Sequence, residues 1–243
     1  MDTQTACDTR TLLILTALKA EYQVARAVVK QWQLDTPAAI RASAYENIVV
    51  EQIGMGGRFL KEILPRYYHS QVTGVVTAGL AGACSPELAV GDLVIDSNSC
   101  EALRVEEIIN AMSNGQRCVI GPIHTSKHMV GDTAEKKELF VKGKFVAVDM
   151  ENKATFEFAQ RRNVPWIGLR TISDTAMDSL PSQIAQFMDS SGNVRPLALT
   201  ITIAANPGII GNLMRLGKAS NIASRKLAEA IGAVIRSGWP FQA

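Results

Sequence analysis

The chain is expected to fold as an α/β protein of three layers, with a central mixed, largely parallel sheet flanked by helices. Three observations support this. Short apolar runs of strand length alternate with stretches whose apolar residues fall at helical spacing. Glycine-rich segments follow two of the apolar runs. One buried run ends on a carboxylate, which places that group at the sheet rim, where ligands of open α/β sheets bind. At 243 residues with 47% hydrophobic content, the chain has ample material for one large core. No internal repeat or low-complexity linker divides it, so residues 1–243 are expected to form one domain, with a helical tail from about 182 to 243.

The elements follow in order. Thr11–Ala17 (TLLILTA) is a buried strand. Lys19–Trp32 is a helix with Val24, Ala25, Val28 and Val29 on one face. Tyr45–Ile53 is a strand that meets the turn Gly54-Met55-Gly56-Gly57, and a short helix carries Phe59, Leu60, Ile63 and Leu64. Val72–Ala78 is a third strand entering a turn, Gly79-Leu80-Ala81-Gly82. Gly91–Asp96, Cys118–His124 and Phe145–Val148 are the fourth to sixth. Glu151 opens a helix over Asn152–Asn163, and Pro165–Ile172 is the last strand, ending on Ser173 and Asp174. Parallel strands buried on both faces read as continuous apolar runs, as these do.

The tail has another character. Pro196–Met214 carries no charge, is broken by Asn206-Pro207-Gly208, and is bracketed by Arg195, Arg215 and Lys218. Asn221–Ile235 is a final amphipathic helix. Packing on the sheet or on a neighbouring subunit is the expectation. The sharper reading is peripheral contact of 196–216 with a membrane face or an apolar substrate.

Several classes are set aside. A net charge of +2 gives no reason for a nucleic-acid partner. No run of 18 apolar residues is present, and Met1–Arg10 lacks signal-peptide features, so a cytoplasmic protein is expected. The four cysteines, Cys7, Cys84, Cys100 and Cys118, have no metal-ligand spacing and are expected to be reduced structural thiols. A reactive Cys84 is the less favoured alternative. His124 and His128 lack a third ligand and are expected in a loop, and no cofactor or metal is expected. Glu135-Lys136-Lys137-Glu138 is expected to be a solvated helix face.

Three acids stand out. Glu21 lies one turn into the first helix, Glu151 starts a later one, and Asp174 ends the last strand. Each has an ordinary explanation as a helix-dipole partner or cap. Together, at strand ends beside glycine-rich segments, they point to acid–base chemistry at a sugar.

With these residues in view, the chain resembles the purine nucleoside phosphorylase and nucleosidase superfamily from about Leu12 to Ala176. Its closest likeness is to the 5′-methylthioadenosine/S-adenosylhomocysteine nucleosidases. The carriers are Leu15–Glu21, Thr77–Gly82 with Val90–Val94, Val148-Asp149-Met150-Glu151, and Asn163-Val164-Pro165 through Arg170–Asp174. The tail, with Phe187-Met188-Asp189, Val194-Arg195-Pro196, Asn206-Pro207 and Leu213–Leu216, is similar to the hopanoid-associated branch, linked with adenosylhopane. The resemblance implies a phosphorylase/hydrolase-like fold, a nucleoside substrate, no cofactor and a homo-oligomer, a dimer by default. It implies Asp174 as the acid at purine N7 and Glu21 as the residue orienting water. Glu151 binds the ribose hydroxyls, Met150 packs beneath the sugar, Val130 meets the base, and Met129 stands where an aromatic usually stacks. Gly79 and Ser173 are further expected site residues. Thr77 occupies the place of a phosphate-binding Arg, which with Glu21 favours hydrolysis over phosphorolysis, although Arg58 is available to restore an anion site. A non-catalytic nucleoside-binding module is the alternative of another class, and the three retained acids speak against it.

Overall fold

The structure is a computed structural model. It describes residues 10–38, 45–67, 72–99, 116–180 and 207–240, with isolated positions at 106–112 and 189–203. The expected alternation is present. The strands are β1 (Thr11–Thr16), β2 (Asn47–Gln52), β3 (Val72–Ala83), β4 (Leu93–Asp96), β5 (Cys118–Gly121), β6 (Ile123–Thr125), β7 (Ala147–Asp149) and β8 (Trp166–Asp174). The helices are α1 (Lys19–Asp35), α2 (Leu60–Ile63), α3 (Thr133–Val141), α4 (Asn152–Arg162) and α5 (Ile210–Arg236).

The described strands form one sheet in the order β2-β1-β3-β8-β4-β5, with β7 joining β3 and β6 joining β7. Most pairings are parallel; β4 with β8 and β3 with β7 are antiparallel. Both faces are covered. On one, Ala25 and Val29 of α1 and Leu227, Ala230, Ile231 and Val234 of α5 pack on Leu12, Ile14, Val76 and Leu169. On the other, Leu60 and Ile63 of α2 and Phe158 and Ala159 of α4 pack on Leu13, Leu15, Val75 and Trp166. Helices on both faces cover the centre of the sheet, so β1 is buried at every position, while β2 at the edge is not.

Four local expectations are corrected. Gly79–Gly82 is no turn, because β3 runs straight through to Ala83. The glycines are there for close approach. A Cβ on Gly79 would run into Arg170 Nη1 and lie 2.9 Å from Glu21 Oε1, and one on Gly82 would lie 2.9 Å from Asp174 Oδ2. The single strand Cys118–His124 is two, β5 and β6, divided at Pro122, which has no N–H for a ladder. β5 pairs with β4 and β6 with β7. The last helix begins at Ile210, eleven residues before Asn221. Its first half holds Gly211 and Gly217, which weaken helix signals. That first half does not pack on the sheet of its own chain: Ile210, Met214 and Ile222 are exposed, whereas Ala223–Ile235 supplies the buried face. Most of 182–206, including much of the tail motif and the apolar run from Pro196, lies outside the described residues.

The fourth correction is the charge cluster. Glu135 and Lys137 face outward on α3, but Lys136 is fully buried.

Candidate active site

The parallel strands β1, β3 and β8 deliver their C-terminal ends to one side of the sheet, and a cavity of about 160 Å³ opens there. Glu21, Glu151 and Asp174 all line it, with Met129, Val130, Met150 and Ser173. Met55, Leu80, His128 and Leu180 complete much of the wall. Gly79 does not line it; it lies behind Glu21 and Arg170, and its neighbour Leu80 faces the cavity. A larger groove of about 600 Å³ runs along α1 and β2, but no carboxylate lines it among the described residues.

Each acid is held differently. Glu21 sits in the first turn of α1. Its Oε2 accepts from the Ala17 and Leu18 N–H groups at 3.0 and 2.8 Å, and its Oε1 accepts from the Leu80 N–H at 2.8 Å. The capping explanation and the site explanation are therefore both true of this residue. Glu151 precedes α4. Its Oε1 accepts from the Gly56 N–H at 2.8 Å, tying it to the glycine-rich turn after β2, and its Oε2 meets Arg170 Nη2 at 3.3 Å. Asp174 ends β8. Its Oδ1 accepts from the Ser173 hydroxyl at 2.8 Å and its Oδ2 from Lys136 Nζ at 2.5 Å.

Arg170, fully buried on β8, lies behind the first two acids. Its Nε and Nη2 both donate to Asp149 Oδ2, at 3.0 and 2.6 Å. Asp149 also accepts from the Asn152 N–H at 2.8 Å and from Thr125 Oγ1 at 2.8 Å, so it anchors the start of α4 as well. Burial works against the Arg170 charge, yet the Asp149, Glu151 and Glu21 carboxylates hold its proton affinity above the ordinary value. Burial pushes Glu21 upward against the pull of Arg170 and three N–H donors. Burial likewise raises Glu151 to about 7, opposed by Arg170 and assisted by Asp149 and Glu21.

These shifts predict a pH dependence of stability. An acid whose folded proton affinity exceeds its unfolded one carries more protons in the folded state between the two values. For Glu151 that window runs from 4.5 to about 7, and stability falls as pH rises through it. Glu21 acts in the same direction. Thermal melts at about pH 5 and about pH 7.5 are expected to show the lower Tm at the higher pH. A Tm that climbs across that interval contradicts the assigned environments.

Arg170, Asp149 and Lys136 were missing from the residues expected at the site. Arg170 and Asp149 stand inside the quoted motifs, and the signal available for them was charge inside otherwise buried runs. Lys136 had no such signal. Other expectations take their places as follows. Thr77 is buried in the core, where its Oγ1 bonds Thr155 and accepts from Trp166 Nε1, so it lies away from the cavity. Arg58 is exposed. Cys84 is buried beside Val130 and Val148, and burial pushes its thiol up to about 12, which fits the structural assignment. His124 packs on the Phe145 ring, at 4.9 Å between centroids, outside the acidic cavity. No described helix is long and apolar enough to cross a membrane.

The architecture is that of an α/β protein with a carboxylate-lined cavity at the strand ends. Known proteins share the α/β architecture. The chain resembles the Phosphorylase superfamily, whose family model matches residues 97–205. No curated protein matches it. Among solved structures, it is similar to a 5′-methylthioadenosine/S-adenosylhomocysteine nucleosidase from Neisseria meningitidis in complex with methylthio-immucillin-A. That likeness has a TM-score of 0.63 at 14% identity and covers 94% of this chain and 99% of that one. A nucleosidase of the same type from Colwellia psychrerythraea, in complex with adenine, gives 0.61 at 16% identity over 94% and 96%. Futalosine hydrolase of Helicobacter pylori gives 0.58 at 17% over 92% and 97%. The chain has the fold these proteins share.

Proposed function

We propose that this protein is an N-glycosidase that hydrolyses an adenine nucleoside and releases adenine. The observation that carries the reading is the convergence of Glu21, Glu151 and Asp174, distant in sequence, on one cavity that Met129, Val130 and Met150 also line. In this reading the purine lies between Asp174 and the Met129–Val130 segment, with the Met129 thioether against the ring. Met150 and Glu151 then meet the ribose, and Glu21 faces the anomeric carbon.

The reaction follows from these places. The C1′–N9 bond breaks and its electron pair moves into the purine, while Asp174 supplies or shares the proton at N7. Adenine therefore leaves neutral. Positive charge grows on the ribose, and the Glu151 carboxylate stabilises it while bonding the hydroxyls. Water adds to C1′ and its proton passes to Glu21. Burial raises the proton affinity of Glu21, the direction that favours taking up that proton.

Hydrolysis is favoured over phosphorolysis by the same geometry. A phosphate dianion beside Glu21 and Glu151 meets two buried acids. The guanidinium nearest them, Arg170, is already engaged by Asp149 and Glu151. The substrates proposed are methylthioadenosine, S-adenosylhomocysteine or a lipid-linked adenosine such as adenosylhopane. The exposed apolar side chains of Met177, Ile210 and Met214 support the lipid-linked alternative and a peripheral membrane contact. A homodimer in the cytoplasm completes the reading.

The test is chromatography of purified protein incubated with each nucleoside, with and without phosphate. Free adenine in phosphate-free buffer is expected from at least one. Tight adenosine binding without any product identifies a binding module instead, and a strict phosphate requirement identifies a phosphorylase.

A further inference from the structure

Lys136 looks like part of a solvated run in sequence, yet it has no exposed surface in the fold. Its Nζ donates to Asp174 Oδ2 at 2.5 Å, to the Thr175 carbonyl at 3.0 Å and to the Asp178 carbonyl at 2.9 Å. Those three bonds use every proton of the ammonium. Lysine is almost never fully buried without such pairing. Two of the acceptors are carbonyls of the loop that follows Asp174, so the side chain ties that loop to α3. The remaining Asp174 oxygen is held by Ser173. Both carboxylate oxygens thus have a donor, the Oδ2 one fixed by the buried Lys136, and a site on the carboxyl group is left for the cavity that Asp174 lines.

We propose that Lys136 is a positioning residue for Asp174: it fixes the orientation of the carboxylate toward the leaving base and neutralises the charge left there when the base departs. The proposal rests on the nucleosidase reading above. In the step itself Lys136 keeps its proton. The C1′–N9 electron pair goes to the purine, the proton that Asp174 carried into the step passes to N7, and the adjacent ammonium offsets the carboxylate charge this leaves on Asp174. A lysine that only holds the fold together affects all substrates alike. A lysine that acts through Asp174 affects only those whose leaving group needs a proton.

The experiment compares two substrates on the full chain. One is the adenine nucleoside the wild type cleaves best. The other is 4-nitrophenyl β-D-ribofuranoside, whose phenolate leaves without protonation. K136M is expected to lower kcat for adenine release about 100-fold, with KM within about threefold, and to slow nitrophenolate release far less. D174N is expected to show the same imbalance. The double variant K136M/D174N is expected to be no slower than the slower single variant, since both substitutions disable one device. K136Q, which keeps a neutral donor toward Oδ2, is expected to recover about tenfold over K136M, and it serves as the test if K136M does not fold. Equal losses on both substrates, or losses that multiply in the double variant, overturn the role of Lys136. A wild type that releases no adenine from any nucleoside overturns the nucleosidase reading and this role with it.

Discussion

Arg170→Met is expected to lower the stability of the fold by about 3–5 kcal/mol, the loss typical when one partner of a buried ion pair is removed. For a chain of this size that corresponds to a fall in Tm of roughly 6–20 °C. The reason is that one guanidinium serves several carboxylates. It donates twice to Asp149 and once to Glu151, and it also attracts Glu21. Without it, three buried acids repel one another with no internal cation among them. Lowering the pH is expected to shrink the deficit, because the variant can relieve it by taking up protons. Arg170→Lys keeps a charge but not the fork that grips Asp149, so it is expected to fall between the two. Denaturant titrations of the three proteins at two pH values measure all of this. An Arg170→Met protein as stable as the wild type shows that the arginine does not hold these carboxylates together.

The chain presents Arg170 openly and yet conceals its role. Arg170, like Asp149, sits inside an apolar stretch, and charge within a buried run is a readable sign. What cannot be read from the line is that both meet behind Glu151, because that depends on β8 and the start of α4 lying side by side. The acids were legible for a simpler reason: each stands at the end of a strand or the start of a helix, where the rim of a parallel sheet is expected. Lys136 was illegible because a charged tetrapeptide on a helix has one periodicity whether its second member faces water or the core. What separates the cases is the Asp174 carboxylate that Lys136 meets, 38 residues away in sequence. Gly79 and Gly82 show the same limit. Glycine marks places where a side chain does not fit, and sequence alone does not say whether a turn or a neighbour excludes it. Here Arg170, Glu21 and Asp174 are the neighbours, and the strand continues past them. Pro122 was the more direct clue, since a missing N–H splits a run of strand character wherever it falls.

Asp174→Asn is expected to reduce adenine release at least 100-fold in kcat in a protein that still folds but melts lower, because the buried Lys136 ammonium loses its anion, and the hydrogen bonds of Asp174 show why this acid is the better target. At Glu21 both oxygens accept only from backbone N–H groups. An amide placed there sets its own N–H₂ against a donor in either orientation, so Glu21→Gln loses structure together with chemistry. Asp174 differs. One of its oxygens accepts from Lys136, but the other faces a hydroxyl that can turn round and accept instead. An asparagine therefore fits with its oxygen toward Lys136 and its amide toward Ser173 Oγ, and what it cannot do is deliver a proton to N7. General acid assistance contributes about 10²–10⁴-fold, so the loss should be at least the lower figure, with KM changed little because shape and polarity are kept. Steady-state kinetics on the adenine nucleoside below the melting temperature of the variant, paired with a melt showing a lowered but cooperative transition, measure both parts. A variant within about threefold of wild type means that the base leaves without help from this carboxylate, and then the acid must be sought elsewhere along the wall formed by His128, Met129 and Val130.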